Sequence, residues 1–270
     1  MEFETVLLEK ADGIGVLTFN RPEVLNAHNY KMRQEVQAAA EAAKADDDIR
    51  VLIVTGAGRA FHAGDDAKDR LQGGLEQLQK DRQAAAVGLL DKDVWTGQLN
   101  PRYFYGYPKP TIAAVNGAAV GAGMSIAISC DIRIGSEFAK FGYFFTRRGI
   151  MGPSHGLVML AHTVGVSRTM EMVLSGELVD AAEADRVGLV SRIVPADQLL
   201  EEAKATARKI MVGAPLAQRA IKEALYRALF PDDGLEDFNI RMDTALTASE
   251  DHHEGFLAFN ERREPVWRSR

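Results

Sequence analysis

The chain has 270 residues, of which 46% are hydrophobic and 26% charged, enough to bury a substantial core, so a globular unit of enzyme size is expected. Its formal charge is −6 with acidic and basic residues interspersed, which leaves no long basic stripe for neutralising phosphates and argues against nucleic acid as a partner. Cys130 is the only cysteine, so an intrachain disulfide and a cysteine metal cluster are both excluded, no metal is expected, and a reducing compartment is the simple reading.

The opening MEFETVLLEKADG places acidic residues where a secretory leader carries positive charge. No apolar stretch reaches the roughly 18 residues of a membrane span, so a soluble cytoplasmic protein with no membrane contact is expected. Residues 5 to 8 and 14 to 20 are apolar runs separated by Asp12-Gly13 and read as a hairpin of two strands. From Asn29, a candidate N-cap, Met32, Val36, Ala39, Ala40 and Ala43 recur at helical spacing. Residues 50 to 55 (RVLIVT) and 111 to 115 (TIAAV) are strand-like runs closed by Gly56-Ala57-Gly58 and Asn116-Gly117. Continuous apolar strands alternating with helices predict an α/β fold with a buried, crossover-connected sheet.

The polar stretch from Asp66 to Asn100 reads as a mobile loop leading into a helix. GAGMSIAIS, 121 to 129, is apolar throughout and is expected to be a buried helix, followed at once by the strand-like DIRIG. Beyond Pro195 the chain reads as helices only, at 197 to 211, 215 to 229, about 235 to 248, and 250 to 263. The expected division is therefore an α/β core over 1–195 and a helical region over 196–270, the latter thin in core for an independent domain.

Two glycine-rich turns that follow buried strands, GRAFHAGDD (58 to 66) and NGAAVGAGMS (116 to 125), are the candidate site. Such turns let backbone approach a ligand closely, and first-turn helix amides point outward without internal partners. Two of these amides aimed at one point make an oxyanion hole, and the helix at 121 to 129 adds favourable potential for developing negative charge. A tight turn and nothing more is the competing reading of either motif. The spacing after Gly121-Ala122-Gly123 lacks the third glycine of a dinucleotide fingerprint.

The two turns, with NRPEVLNA (20 to 27), PKPTIAAVNGAAVGAGMSIAISCDIRIGS (108 to 136), AKFGYFFTRRGI (139 to 150) and ASEDHHEGFLAFNERREPVW (248 to 267), resemble the crotonase (enoyl-CoA hydratase/isomerase) superfamily in order over nearly the whole chain. The resemblance implies a spiral of ββα repeats, a helical C-terminal trimerisation region, and a homotrimer or dimer of trimers. It also implies an acyl-CoA substrate, with coenzyme A as part of that substrate and no prosthetic group. By position, the amides that hold the thioester carbonyl belong to Asp65 and Ala122.

Departures from the family pattern are as informative. The two positions at which the family's hydratases carry glutamate are Ser125 and Phe145 here, and neither can act as a carboxylate base. The aspartate position of its dienoyl isomerases and dehalogenases is Pro153. General acid or base help contributes about 10² to 10⁴-fold per group, so efficient simple hydration is not expected. An acyl-CoA enzyme that stabilises a thioester enolate by other means is the first reading. A C–C hydrolase or decarboxylase of the same fold is an alternative, and a catalytically silent CoA-binding protein is another.

Asp65 leaves open whether its side chain meets the pocket or solvent; His155 is a candidate acid or base or a structural histidine; Ser125 donates a hydrogen bond or fills space. Phe144 and Phe145 are expected to form one apolar wall, and Arg147 with Arg148 a salt-bridged or phosphate-facing pair. For coenzyme A, the resemblance points to Arg21, Val24, Ala60, Ala63 and Asp66, with Phe259 and Arg262 from the same or a neighbouring subunit. Asp66 has a second reading as a helix cap.

Overall fold

A computed structural model describes residues 3–66, 102–229, 244, 247–248, 250–263 and 265–266. The expected loop and helix between Asp66 and Asn100 and most of the helix expected near 235 to 248 lie outside the described residues. In chain order the elements are β1 (Val6–Ala11), β2 (Ile14–Phe19), α1 (Tyr30–Ala45), β3 (Val51–Gly56), β4 (Ala60–His62), α2 (Arg102–Tyr105), β5 (Thr111–Val115), β6 (Ala118–Val120) and α3 (Ala122–Ser129). There follow β7 (Ile132–Ser136), β8 (Lys140–Gly142), α4 (Ser154–Val164), α5 (Val166–Ser175), β9 (Val179–Asp180), α6 (Ala181–Arg186), β10 (Arg192–Val194), α7 (Leu199–Met211), α8 (Pro215–Leu229) and α9 (Glu250–Glu261).

One sheet runs in the order β1-β2-β3-β5-β7-β10, and a second in the order β4-β6-β8-β9. β1 and β2 are the antiparallel hairpin expected around Asp12-Gly13; the pairs β2–β3, β3–β5, β5–β7 and β7–β10 are parallel. Twice the chain leaves a strand of the first sheet, adds a three-residue strand to the second and then enters a helix, as β5-β6-α3 and as β7-β8-α4. These are the ββα cycles that the resemblance implies.

Strand alternation divides the core between the two faces of the large sheet. Val51, Ile53, Ile112 and Ala114 face one way and pack with Leu199, Ala203 and Ala207 of α7. Leu52, Val54, Ala113 and Val115 face the other way, into a cluster with Met32, Val36 and Ala40 of α1 and Met124 and Ile128 of α3. α7 thus packs directly on the sheet, although it follows Pro195. Burial on both faces explains why these strands read as unbroken apolar runs.

α1 starts where expected, because the Asn29 side chain accepts from the Met32 amide at 2.9 Å. α8 is tied to the core by Asp131, whose carboxylate accepts from Lys222 and the Tyr226 hydroxyl of that helix, each at 2.7 Å. The same carboxylate accepts from the Thr111 amide at the start of β5. Among the described residues no helix is long and apolar enough to cross a membrane.

Candidate active site

β4 and β6 run parallel and end side by side, so the two glycine turns that leave them meet. A β-carbon on Gly123 would lie 2.0 Å from the His62 carbonyl oxygen, which only glycine permits. A β-carbon on Gly64 would lie 3.8 Å from the Ala122 nitrogen. The turns are therefore in backbone contact, with Asp65 on one and Ala122 on the other.

The direction of each amide follows from local geometry. The Gly64 carbonyl accepts from the His28 amide at 2.9 Å, and the Asp66 amide donates to the His28 carbonyl at 3.0 Å, which makes a parallel bridge between His28 and Asp65. In a trans peptide the N–H points opposite to the C=O, so the Asp65 amide points away from the His28 segment. Ala122 is the first residue of α3, whose N-cap Gly121 has φ 56. Its amide belongs to the first turn, which has no carbonyl four residues back within the helix.

The Asp65 side chain is held from within the protein, at 18% exposure. It turns to His28, whose Nε2 is 2.6 Å from its Oδ1, and to the Arg33 guanidinium at 3.1 Å. The physical reason is that an acceptor-only carboxylate finds two cationic or N–H partners on its own side of the bridge. His28 in turn contacts His62, Nδ1 to Nε2 at 2.9 Å. Burial, followed by the neighbouring His28, holds the His62 pKa well below the usual histidine value.

Ser125 is buried on α3. Gly156 of α4 faces it: a β-carbon there would stand 3.7 Å from Ser125 Oγ and 3.5 Å from the Tyr143 hydroxyl. The Tyr143 hydroxyl donates to the Pro153 carbonyl at 2.9 Å. His155 is also buried, but its ring lies beside Tyr105, centroids 6.4 Å apart, and the Tyr105 hydroxyl reaches its carbonyl. The polar side chains within 4 Å of the Gly156 β-position are thus Ser125 and Tyr143.

Phe144 and Phe145 do not form one wall. Phe145 packs against Gly152 and meets the Tyr143 ring edge-on at 4.7 Å. Phe144 lies against Gly142 and beneath the Arg147 guanidinium, 5.5 Å from its ring centroid. The chain turns helical at Phe145, φ −62 and ψ −40, so neighbouring side chains diverge. The arginine pair separates for the same reason. Arg147 donates to the Ser175 carbonyl, whereas Arg148 stacks on Phe259 of α9 at 4.1 Å and accepts at its carbonyl from His252.

Of the residues assigned to coenzyme A, Arg21 donates to the Ala27 carbonyl at 2.6 Å and pairs with Asp66 at 3.1 Å. Val24 sits in a 3-10 turn and Ala63 donates to the Leu25 carbonyl. Ala60 is buried in β4, and its carbonyl accepts from the Asn26 and Asn116 side chains, which occupy both lone pairs. Phe259 is exposed under Arg148, and Arg262 follows the end of α9 in a left-handed conformation, φ 53. Among the described residues no group of histidine, cysteine and acidic side chains is placed to hold a metal.

His28, His62, Arg33, Tyr143 and Asn26 join the site only in the folded chain. The available signal was a polar residue at the end of each apolar run, His28 after LNA and His62 after AF.

Comparison with known proteins agrees with this architecture. A family model described as "Enoyl-CoA hydratase/isomerase" matches residues 9–270. A "Probable enoyl-CoA hydratase" of Mycobacterium tuberculosis is 38% identical over 273 residues, covering 100% of both chains. The 2,3-dehydroadipyl-CoA hydratase of Escherichia coli is 36% identical over 267 residues, 98% of this chain and 99% of that one. The crystal structure of carnitinyl-CoA hydratase from Mycobacterium avium superposes with a TM-score of 0.82 at 32% identity, covering 98% of this chain and 99% of that one. With its ββα cycles and paired turns, the chain belongs to the crotonase superfamily, in the enoyl-CoA hydratase/isomerase family.

Proposed function

We propose that the protein binds a coenzyme A thioester and holds its carbonyl oxygen between the amides of Asp65 and Ala122, stabilising the enolate that forms when the α-carbon gives up a substituent. The observation that carries this reading is the backbone contact between the two glycine turns, with the Gly64 β-position 3.8 Å from the Ala122 nitrogen. Donors fixed in place before reaction stabilise developing charge without reorganisation. Relatives named as hydratases of CoA thioesters support the substrate class.

The same site argues against efficient simple hydration. By the resemblance, Ser125 and Phe145 take the positions at which the family's hydratases carry glutamate; Phe145 packs its ring on Tyr143 and Gly152. Proton movement then falls to hydroxyl-bearing groups such as Tyr143 and Ser125, or to water. When a carboxylate leaves as carbon dioxide, or an acyl group leaves to an attacking water that gives up a proton, the α-carbon of the enolate still takes a proton from one of these. Decarboxylation and C–C hydrolysis are therefore the compatible reactions.

A homotrimer or a pair of trimers is part of this proposal, supported by Leu216, Ile221 and Leu225 of α8, which are all more than half exposed in the single chain. The test combines crotonyl-CoA hydration with deuterium exchange at the α-carbon of butyryl-CoA. Exchange with hydration slowed by about 10² to 10⁴-fold for each missing carboxylate is expected. Hydration at about 10² to 10³ per second would contradict the assignment of Ser125 and Phe145. Binding without exchange would point to a silent CoA-binding protein.

A further inference from the structure

Four side chains that the reaction does not touch converge behind the first glycine turn. His62 closes β4, fully buried, with its ring edge against Phe19 at 5.0 Å. Its Nδ1 accepts from the Gly64 amide at 3.0 Å, and its Nε2 lies 2.9 Å from His28 Nδ1. His28 is 1% exposed and presents Nε2 to Asp65 Oδ1 at 2.6 Å, where Arg33 also arrives at 3.1 Å.

The hydrogen positions along this chain are determined by its first link. A backbone amide only donates, so His62 Nδ1 is an acceptor and the proton of the neutral ring sits on Nε2. That proton is donated to His28 Nδ1, which places the His28 proton on Nε2, facing the Asp65 carboxylate. Burial keeps His62 neutral at pH 7, in agreement with this assignment. The first two links thus have one donor and one acceptor each, the third is a close charge contact of His28 Nε2 with Asp65 Oδ1, and the two imidazoles act as a spacer of defined length between a backbone amide and a carboxylate.

Both ends of the spacer attach beside one peptide bond. The Gly64–Asp65 peptide has the Gly64 amide held by His62 on one side and the Asp65 side chain held by His28 and Arg33 on the other. Its carbonyl is held by the His28 amide. The Gly64 N–H belongs to the preceding peptide, so His62 anchors the near side of Gly64, while the His28 amide and the Asp65 side-chain contacts hold the plane of the Gly64–Asp65 peptide, whose remaining group is the Asp65 N–H. Gly64, with φ +94 and no side chain, otherwise leaves that plane free to rotate.

We propose that His28 and His62 are positioning residues, which set the angle of the Asp65 amide through the Gly64 amide and the Asp65 carboxylate. This rests on the oxyanion reading above. In a low-dielectric interior hydrogen bonds and charge contacts are stronger than in water, which raises the cost of rearranging a buried polar network, and here the arrangement held in place is the direction of one N–H. Misplacing a reacting geometry by about 1 Å is worth about 10²-fold in rate.

The test uses butyryl-CoA labelled with ¹³C at the thioester carbonyl. Its stretching frequency is read by difference infrared spectroscopy on the full-length protein, beside the rate of α-deuterium exchange and the dissociation constant. In the wild type the bound carbonyl shifts to lower frequency. His62→Leu and His28→Leu are expected to lose most of that shift and about 10²-fold in exchange, with the dissociation constant changed much less. His62→Asn places an amide oxygen near the Nδ1 position and restores most of the shift; His62→Gln, whose amide reaches the Nε2 position instead, does not. This pair serves where the leucine variants fail to fold.

A wild-type shift that persists unchanged in His62→Leu, His28→Leu or His62→Gln overturns the positioning role and leaves the oxyanion reading standing. A wild-type carbonyl with no shift overturns both.

Discussion

Replacing Gly123 with alanine separates the two turns on which the proposed chemistry depends. The new β-carbon would start 2.0 Å from the His62 carbonyl oxygen and 2.8 Å from its carbon, against backbone that no side-chain rotation can clear. A separation of at least 3.0 Å is needed, so the turns must move apart by about 1 Å, enough to cost about 10²-fold in rate where a reacting geometry is disturbed. Because α3 and β4 are packed in the core, the movement also strains neighbours and is expected to cost about 1 to 3 kcal/mol of stability. Gly156→Ala is the control for stability alone, since its β-carbon meets Ser125 and Tyr143 only at ordinary contact distances but lies between groups proposed to move the proton.

The assay is α-deuterium exchange of butyryl-CoA together with urea unfolding of both variants. Gly123→Ala should lose about two orders of magnitude in exchange and unfold at lower urea. Wild-type exchange and an unchanged midpoint in Gly123→Ala would refute the contact between the turns.

Two other outcomes follow from burial. The native pKa of His62 lies below its ordinary 6.5 through burial and the adjoining His28, with Asp65 opposing and Arg33 adding to the effect. On acidification the unfolded chain therefore binds the proton first. Stability is full above about pH 6.5 and declines below it, by up to about 1.4 kcal/mol per pH unit until the native pKa is reached; His62→Asn should flatten the decline between pH 6.5 and 5.5, and an equal slope would count against it. The Cys130 thiol is pushed up to about 12 by burial and then by Asp131, so native protein should resist iodoacetamide at pH 8 and react fully in denaturant. Rapid labelling of the native form would contradict that burial.

The parts of the fold that are legible in the sequence are those with enough residues to show a period. RVLIVT and TIAAV read as strands because both faces of the large sheet are covered. Asn29 reads as a cap because the helical spacing begins beside it. β4, β6 and β8 have three residues each and carry no period of their own, so the second sheet, which brings the turns together, comes only with the resemblance.

At the site, the glycine turns and their amides are legible because only backbone and small residues are involved. The direction of the Asp65 side chain is not legible, because it depends on His28 and Arg33, more than thirty positions earlier in the chain. The split of Phe144 from Phe145 depends on a backbone dihedral at the end of β8 that two adjacent phenylalanines do not announce. Tyr143 escapes notice because its hydroxyl finds the Pro153 carbonyl only once the loop after β8 folds back.

The most direct measurement is a crystal structure with a non-hydrolysable butyryl-CoA analogue bound. The acyl oxygen is expected within about 2.7 to 3.1 Å of both the Asp65 and the Ala122 nitrogens. An oxygen that reaches neither amide, or a side chain lying between them, would contradict it.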